Sequence, residues 1–155
     1  MKSIQILIFL LLMSLAGFSQ MIEGDDGMYY DNNQELYSGK YSEYFDNGIL
    51  KMDMWVKEGL KDGEERYFYL DGKPREIRSY KSGHMDGLWK TFNEEGIKTA
   101  EARYKNNQKH GKWYIWDDNG ILRYDMSYIK GKKKGIWIMF DSEGKEEQRK
   151  DYSKN

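Results

Sequence analysis

Glycine returns every 24 residues along this chain without a slip. Gly39, Gly63, Gly87, Gly111 and Gly135 form one column, and Gly48, Gly72, Gly96, Gly120 and Gly144 form a second. A third holds Gly59, Gly83 and Gly131, with Asn107 in the remaining slot. Aromatic residues keep the same frame: Tyr44, Phe68, Phe92, Trp116 and Phe140 fall in one column, and Tyr80, Tyr104, Tyr128 and Tyr152 in another. Self-similarity at a fixed period marks a repeat array, in which one unit is too small to bury an apolar face alone and must stack on its neighbours.

Each unit reads as a β-hairpin. Turn signals alternate between "DNG", at Asp46–Gly48 and Asp118–Gly120, and tripeptides ending in Gly, at Lys81–Gly83 and Ile129–Gly131. Gly and Asn serve there because tight hairpin turns require positive φ. The runs between turns are of strand length. In the second strand of a unit the even positions are often apolar, as in Met52, Met54 and Val56, or Leu122, Tyr124, Met126 and Tyr128. The residues between them, such as Asp53 and Asp125, are mostly polar, so one face is covered and the other wet. The first strand, as in "GLWKTF" at Gly87–Phe92 and "GKWYIW" at Gly111–Trp116, spaces its aromatics three apart. Either that strand is apolar on both sides or a bulge re-aims one residue.

The expected fold is all-β: an elongated antiparallel meander of about ten strands, built from five hairpin repeats near 39–62, 63–86, 87–110, 111–134 and 135–152. Unit five ends in "KEEQRKDY", a polar strand suited to protect the free edge. Ahead of the array (37–155) lies an acidic segment, 20–36, read as a linker or degenerate half-repeat. Residues 1–19 carry Lys2, an apolar run from Ile4 to Leu15, then Ala16, Gly17 and Ser19. That order matches a secretory signal peptide, and the run is short of the roughly 20 residues that span a bilayer. Export to the periplasm, cell surface or medium is expected, with cleavage after Ser19.

The assembled consensus, an aromatic followed by x-x-G-x-x-x-G-x-W-x-x-aromatic-x-x-x-G, resembles the MORN repeat. It is most similar to the bacterial variant found in proteins labelled as a YwqK-type antitoxin family. The resemblance covers Tyr37 to Tyr152, with Tyr41 and Glu65 replacing Trp in units one and two. It implies an array that acts through partners, by protein interaction, self-association or contact with membrane phospholipids. Aromatic–glycine hairpins such as "GKWYIWDDNG" also resemble cell-wall-binding repeats that grip choline or glucan.

Composition excludes several chemistries. The chain has no Cys, which removes disulfides, Cys-based zinc sites and cysteine nucleophiles. Its net charge of −1 lacks the basic excess of a nucleic-acid binder. His84 and His110 stand beside turns, the paired acids Glu94–Glu95 and Asp117–Asp118 sit at hairpin tips, and no phosphate loop or nucleophile elbow is present. No catalytic, cofactor or metal residue is therefore assigned, and a non-catalytic interaction module is expected. Its candidate binding stripe is Trp89, Trp113 and Trp137, which recur on every second strand. Its candidate basic patch is Lys130, Lys132, Lys133 and Lys134, suited to an acidic partner or peripheral contact with anionic lipid. The expected partner is a protein, a second copy or a glycan.

Overall fold

A computed structural model describes residues 21–154. The proposed signal peptide lies outside the described residues.

Ten strands follow one another in sheet order as they do in sequence. They are β3 (Gly39–Tyr44), β4 (Leu50–Lys57), β5 (Leu60–Phe68), β6 (Pro74–Lys81), β7 (His84–Phe92), β8 (Lys98–Lys105), β9 (Gln108–Trp116), β10 (Leu122–Ile129), β12 (Ile136–Phe140) and β13 (Glu146–Asp151). All neighbouring pairs are antiparallel. An eleventh strand, β11 (Lys132–Lys133), pairs with β10. In the 24-residue frame it is the first part of the strand that β12 completes, interrupted at Lys134–Gly135. Two short strands, β1 (Ile22–Glu23) and β2 (Tyr29–Tyr30), form a separate ribbon ahead of the array.

The two turn types lie on opposite long edges of the sheet. Along one edge five turns repeat the same bonds, for example Asp117 N–H to Ile121 C=O at 3.0 Å and Gly120 N–H to Asp117 C=O at 2.9 Å. The Asp117 side chain caps that turn, its Oδ1 accepting from the N–H groups of Asn119 and Ile121 at 3.0 Å each. One carboxylate oxygen is thus committed to the turn backbone, and the other faces Arg123 Nη1 at 3.5 Å. The other edge carries two-residue turns with positive φ at both central positions, such as Lys130 (φ 50°) and Gly131 (φ 78°), as type I′ geometry demands.

Cross-strand partners share a face. One row runs Tyr41–Met54–Glu65–Arg78–Trp89–Ala102–Trp113–Met126 across successive strands. We call this face A. The opposite face B carries Asp53, Arg66, Tyr114 and, two residues beyond Tyr114, Trp116, whose ring lies 5.6 Å from the Tyr114 ring. The aromatics spaced three apart therefore occupy opposite faces, so the first strand of the unit is apolar on both sides. Register shifts do occur beside Phe68, Phe92, Trp116 and Phe140, but they do not bring the two aromatic columns together.

A larger irregularity falls at the first glycine column. Between the pairs Ala102↔Trp113 and Tyr104↔Lys109, β8 uses one residue where β9 uses three, including Gly111. At the equivalent Gly87 the backbone has φ 113° and a Cβ would stand 2.8 Å from that of Ser79, so only glycine fits without movement.

The most enclosed core lies at the amino-terminal end of face A. Tyr29, Met52, Met54 and Val56 are buried there, with Met21, Tyr37, Tyr41 and Tyr67 packed around them. The acidic segment supplies the cover: Tyr29 N–H donates to Gly59 C=O, and Gly59 N–H to Tyr37 C=O, each at 2.9 Å. At the other end β13 is exposed along all six residues, and Glu146 pairs with Arg149 at 2.6 Å. A charged outer strand of this kind resists edge-to-edge pairing.

Candidate functional site: the aromatic ladder of face A

Period-two geometry puts the Trp column and the Tyr column of each unit on face A, and the 24-residue repeat brings them together. Trp89, Tyr104, Trp113, Tyr128, Trp137 and Tyr152 form an unbroken ladder, with successive ring centroids 5.3, 5.2, 5.2, 5.1 and 5.0 Å apart. The rings are tilted against one another, the arrangement that aromatic quadrupoles favour. Indole N–H groups lock the geometry: Trp113 Nε1 donates to Arg103 C=O at 2.9 Å and Trp137 Nε1 to Ser127 C=O at 3.0 Å. The stripe Trp89, Trp113 and Trp137 is thus one physical feature, and three tyrosines join it. Burial pushes the phenols of Tyr104 and Tyr128 up from their ordinary value.

Cations roof the ladder at regular intervals. Lys109 Nζ stands 4.3 Å from the Trp113 ring centroid and 5.1 Å from Tyr128, and Lys133 Nζ 4.5 Å from Trp137 and 5.0 Å from Tyr152. Arg78 covers Trp89 at 5.0 Å. Each contact joins a cation to the negative face of a ring.

Between Trp89 and Trp113 the small side chains Ala100 and Ala102 leave a groove of about 210 Å³, lined also by Thr91, Tyr104, Tyr114 and Ile115. A second groove of about 180 Å³ runs beside Trp137, lined by Tyr124, Met126, Met139 and Tyr152. Ile115 and Tyr124 stand exposed at the groove lips.

The four lysines of the candidate basic patch do not act as one surface. Lys133 turns onto the ladder, Lys134 Nζ donates to Ser153 C=O at 2.6 Å, and Lys130 and Lys132 are exposed at the turn. Neighbouring strand residues point to opposite faces, which divides the cluster. His84 remains exposed, its Nδ1 2.9 Å from Ser82 C=O, whereas His110 lies half-buried inside β9. Among the described residues no group of three or more acidic or His side chains is placed to hold a metal.

Where the ladder stops, a charge cluster takes its place. Glu65 occupies the Trp slot of unit two and is 1% exposed. Its Oε1 accepts from Lys61, its Oε2 has Arg78 Nη1 at 3.5 Å, and the Tyr67 ring lies beneath Arg78 at 5.4 Å. Burial opposes the charge on Lys61, but the Glu65 carboxylate outweighs it and raises the ammonium's pKa. On face B, Asp53 is also 1% exposed. Burial acts against its ionised form, yet the hydrogen bonds from Arg66 (2.8 and 2.6 Å) and the contact with Lys40 (2.9 Å) hold its carboxyl below the usual range. Neither cluster follows from the repeat pattern; the replacement of Trp by Glu65 was the one visible signal.

Three successive hairpins, residues 61–82, 85–106 and 109–130, match the family model described as the MORN repeat variant. The chain carries MORN-variant repeats. Each match covers one two-strand hairpin, β5–β6, β7–β8 or β9–β10, joined by a turn of the capped type. MORN repeats are generally modules for protein or membrane interaction, and generally non-catalytic. The match concerns the repeat and carries no antitoxin role. No curated protein matches the chain.

Proposed function

We propose that this protein works outside the cytoplasm as a non-catalytic docking platform for another protein, with the ladder face of units three to five as the contact surface. The observation that carries the reading is the groove between Trp89 and Trp113, floored by Ala100 and Ala102, in which two indoles and a tyrosine pack ring to ring beside an open apolar slot. Pre-ordered aromatic side chains in a concave apolar setting are what protein partners anchor on, because little conformational entropy is lost on binding. The lining is almost entirely carbon, which suits an aliphatic or aromatic side chain better than a sugar ring with its hydroxyls. The apolar run Ile4–Leu15 supports export.

The test is affinity capture from envelope extracts, followed by reconstitution with the purified partner. Ile115→Glu and Tyr124→Glu place a charge at the groove lips on residues already exposed, so folding is retained. Loss of the partner from both variants is expected. Undiminished binding by both, or capture of neither a partner nor a second copy by the unmodified chain, contradicts the reading. Purified cell wall as bait tests the glycan alternative directly.

A further inference from the structure

Charge is distributed end to end in this molecule. From Met21 to Gly39 there are five carboxylates, Glu23, Asp25, Asp26, Asp31 and Glu35, and no Lys or Arg. At the far end Lys130 and Lys132 stand exposed within a single turn and the strand after it, with Lys133 turned onto the ladder and Lys134 bonded to Ser153 C=O. Both segments lie on the same long edge of the sheet. The acidic segment is tied to the Glu58–Gly59 turn, with Glu58 N–H donating to Ser38 Oγ at 2.8 Å, and the lysines follow the Lys130–Gly131 turn. Six strand spacings of about 4.8 Å separate these turns, or about 29 Å. That is more than three Debye lengths of about 8 Å at physiological salt, across a continuously hydrogen-bonded sheet. The two ends cannot neutralise each other within one chain.

Apolar surface accompanies the charge at both ends. Ile22 and Leu36 in the acidic segment are 52% and 45% exposed, and Ile129 beside the lysines is 49% exposed. Ile129, Lys130, Lys132, Lys133 and Lys134 line a hollow of about 260 Å³; Lys133 sends its ammonium to the Trp137 ring and Lys134 to Ser153 C=O, so Lys130 and Lys132 are the exposed charges beside it. Glu35 precedes Leu36, so an exposed aliphatic side chain next in sequence to a carboxylate stands at one end and the hollow at Ile129 at the other.

We propose that two copies pair antiparallel along this edge, the acidic segment of each seating Leu36 against the hollow at Ile129 of the other, beside the exposed Lys130 and Lys132. A twofold axis makes the contact self-complementary, so both ends of both chains are matched and the assembly closes as a dimer. The inference names one partner within the interaction reading but uses the sheet edge and not the ladder, so its failure leaves the ladder reading standing.

The experiment is sedimentation or light scattering on the purified chain at about 0.02 M and about 0.5 M salt, where screening differs strongly. A dimer at low salt whose dissociation constant rises about tenfold or more at high salt is expected. Lys130→Glu with Lys132→Glu reverses exposed residues, and unit one already carries Glu58 in the slot of Lys130. Asp25→Lys with Glu35→Lys reverses the other end, also at exposed positions. Each double variant alone is expected to be monomeric, and a mixture of the two is expected to form a heterodimer, because both junctions then regain opposite charges. A monomer at low salt, a dimer in either variant, or no heterodimer on mixing overturns the proposal. Thermal melts establish that the variants fold, and the salt series on the unmodified chain decides the question if one does not.

Discussion

Removing one rung of the ladder reports how far it holds the array together. Trp113 contacts a ring on each side, Tyr104 and Tyr128, both at 5.2 Å, and carries Lys109 on its face at 4.3 Å. Each ring pair contributes about 0.5–1.5 kcal/mol beyond area burial, and a cation on an exposed indole about 0.5–1 kcal/mol. The indole N–H to Arg103 C=O adds a bond of about 1 kcal/mol. Trp113 is half-buried, so Trp113→Ala belongs at the lower end of the range for large aromatic truncations, about 3 kcal/mol. For a chain of this size that corresponds to a fall in Tm of about 10 °C. Trp113→Phe keeps a ring between its neighbours and loses mainly the N–H bond, at a cost of about 1 kcal/mol. The assay is urea unfolding followed by far-UV circular dichroism, with m-values compared, because a repeat array that loses cooperativity shows it there first. If Trp113→Ala stays within about 0.5 kcal/mol of the parent, the ladder is not part of what holds the sheet, and the reasoning fails.

Further expectations follow from the charge clusters and one glycine. Asp53 has a folded pKa below its ordinary value, so its contribution is present above about pH 4 and is lost as pH falls through the lower folded value. Asp53→Asn should flatten the acid limb of a stability-versus-pH curve and cost about 1–2 kcal/mol at neutral pH, read by denaturant titration. The raised phenols of Tyr104 and Tyr128 have the opposite sign: their contribution is full below about pH 10 and declines as pH rises through the folded values, which an alkaline melt detects. Glu65→Ala leaves Lys61 and Arg78 facing an empty slot and should cost about 3 kcal/mol, whereas Glu65→Trp supplies the residue of units three to five beside Lys61 and should cost less. Equal losses by thermal melt would sink that idea. Gly87→Ala meets Ser79 at 2.8 Å and should destabilise by more than Gly131→Ala, which meets nothing within 4 Å.

Much of this architecture was legible in the residues because a hairpin repeat writes its constraints at fixed intervals. The glycine columns mark positive φ, the alternation of apolar and polar residues marks strands, and the Trp column places Trp89, Trp113 and Trp137 on one stripe; the Tyr column shows as a period but not as part of that stripe. What stayed hidden depends on side chains meeting across units. Asp53 alternates with apolar neighbours and so reads as solvated, yet Lys40 and Arg66 from the flanking strands close over it. The lysines at 130–134 read as one patch because adjacency in sequence conceals that alternate strand residues point to opposite faces. The acidic segment follows no period, so nothing in it revealed that Tyr29 would bury against Met52, Met54 and Val56. In unit two, the loss of a Trp signals that something differs, but not that Glu65 would be buried between Lys61 and Arg78.

The chain's five tryptophans make docking on the ladder face measurable residue by residue. Trp89, Trp113 and Trp137 lie on face A, while Trp55 and Trp116 lie on face B. Incorporating 5-fluorotryptophan yields one fluorine resonance for each, assigned by single Trp→Phe substitutions. On adding the captured partner, shifts or broadening are expected at Trp89, Trp113 and Trp137, with Trp55 and Trp116 unmoved. Perturbation confined to Trp55 and Trp116 would place the docking surface on the opposite face and contradict docking on the ladder.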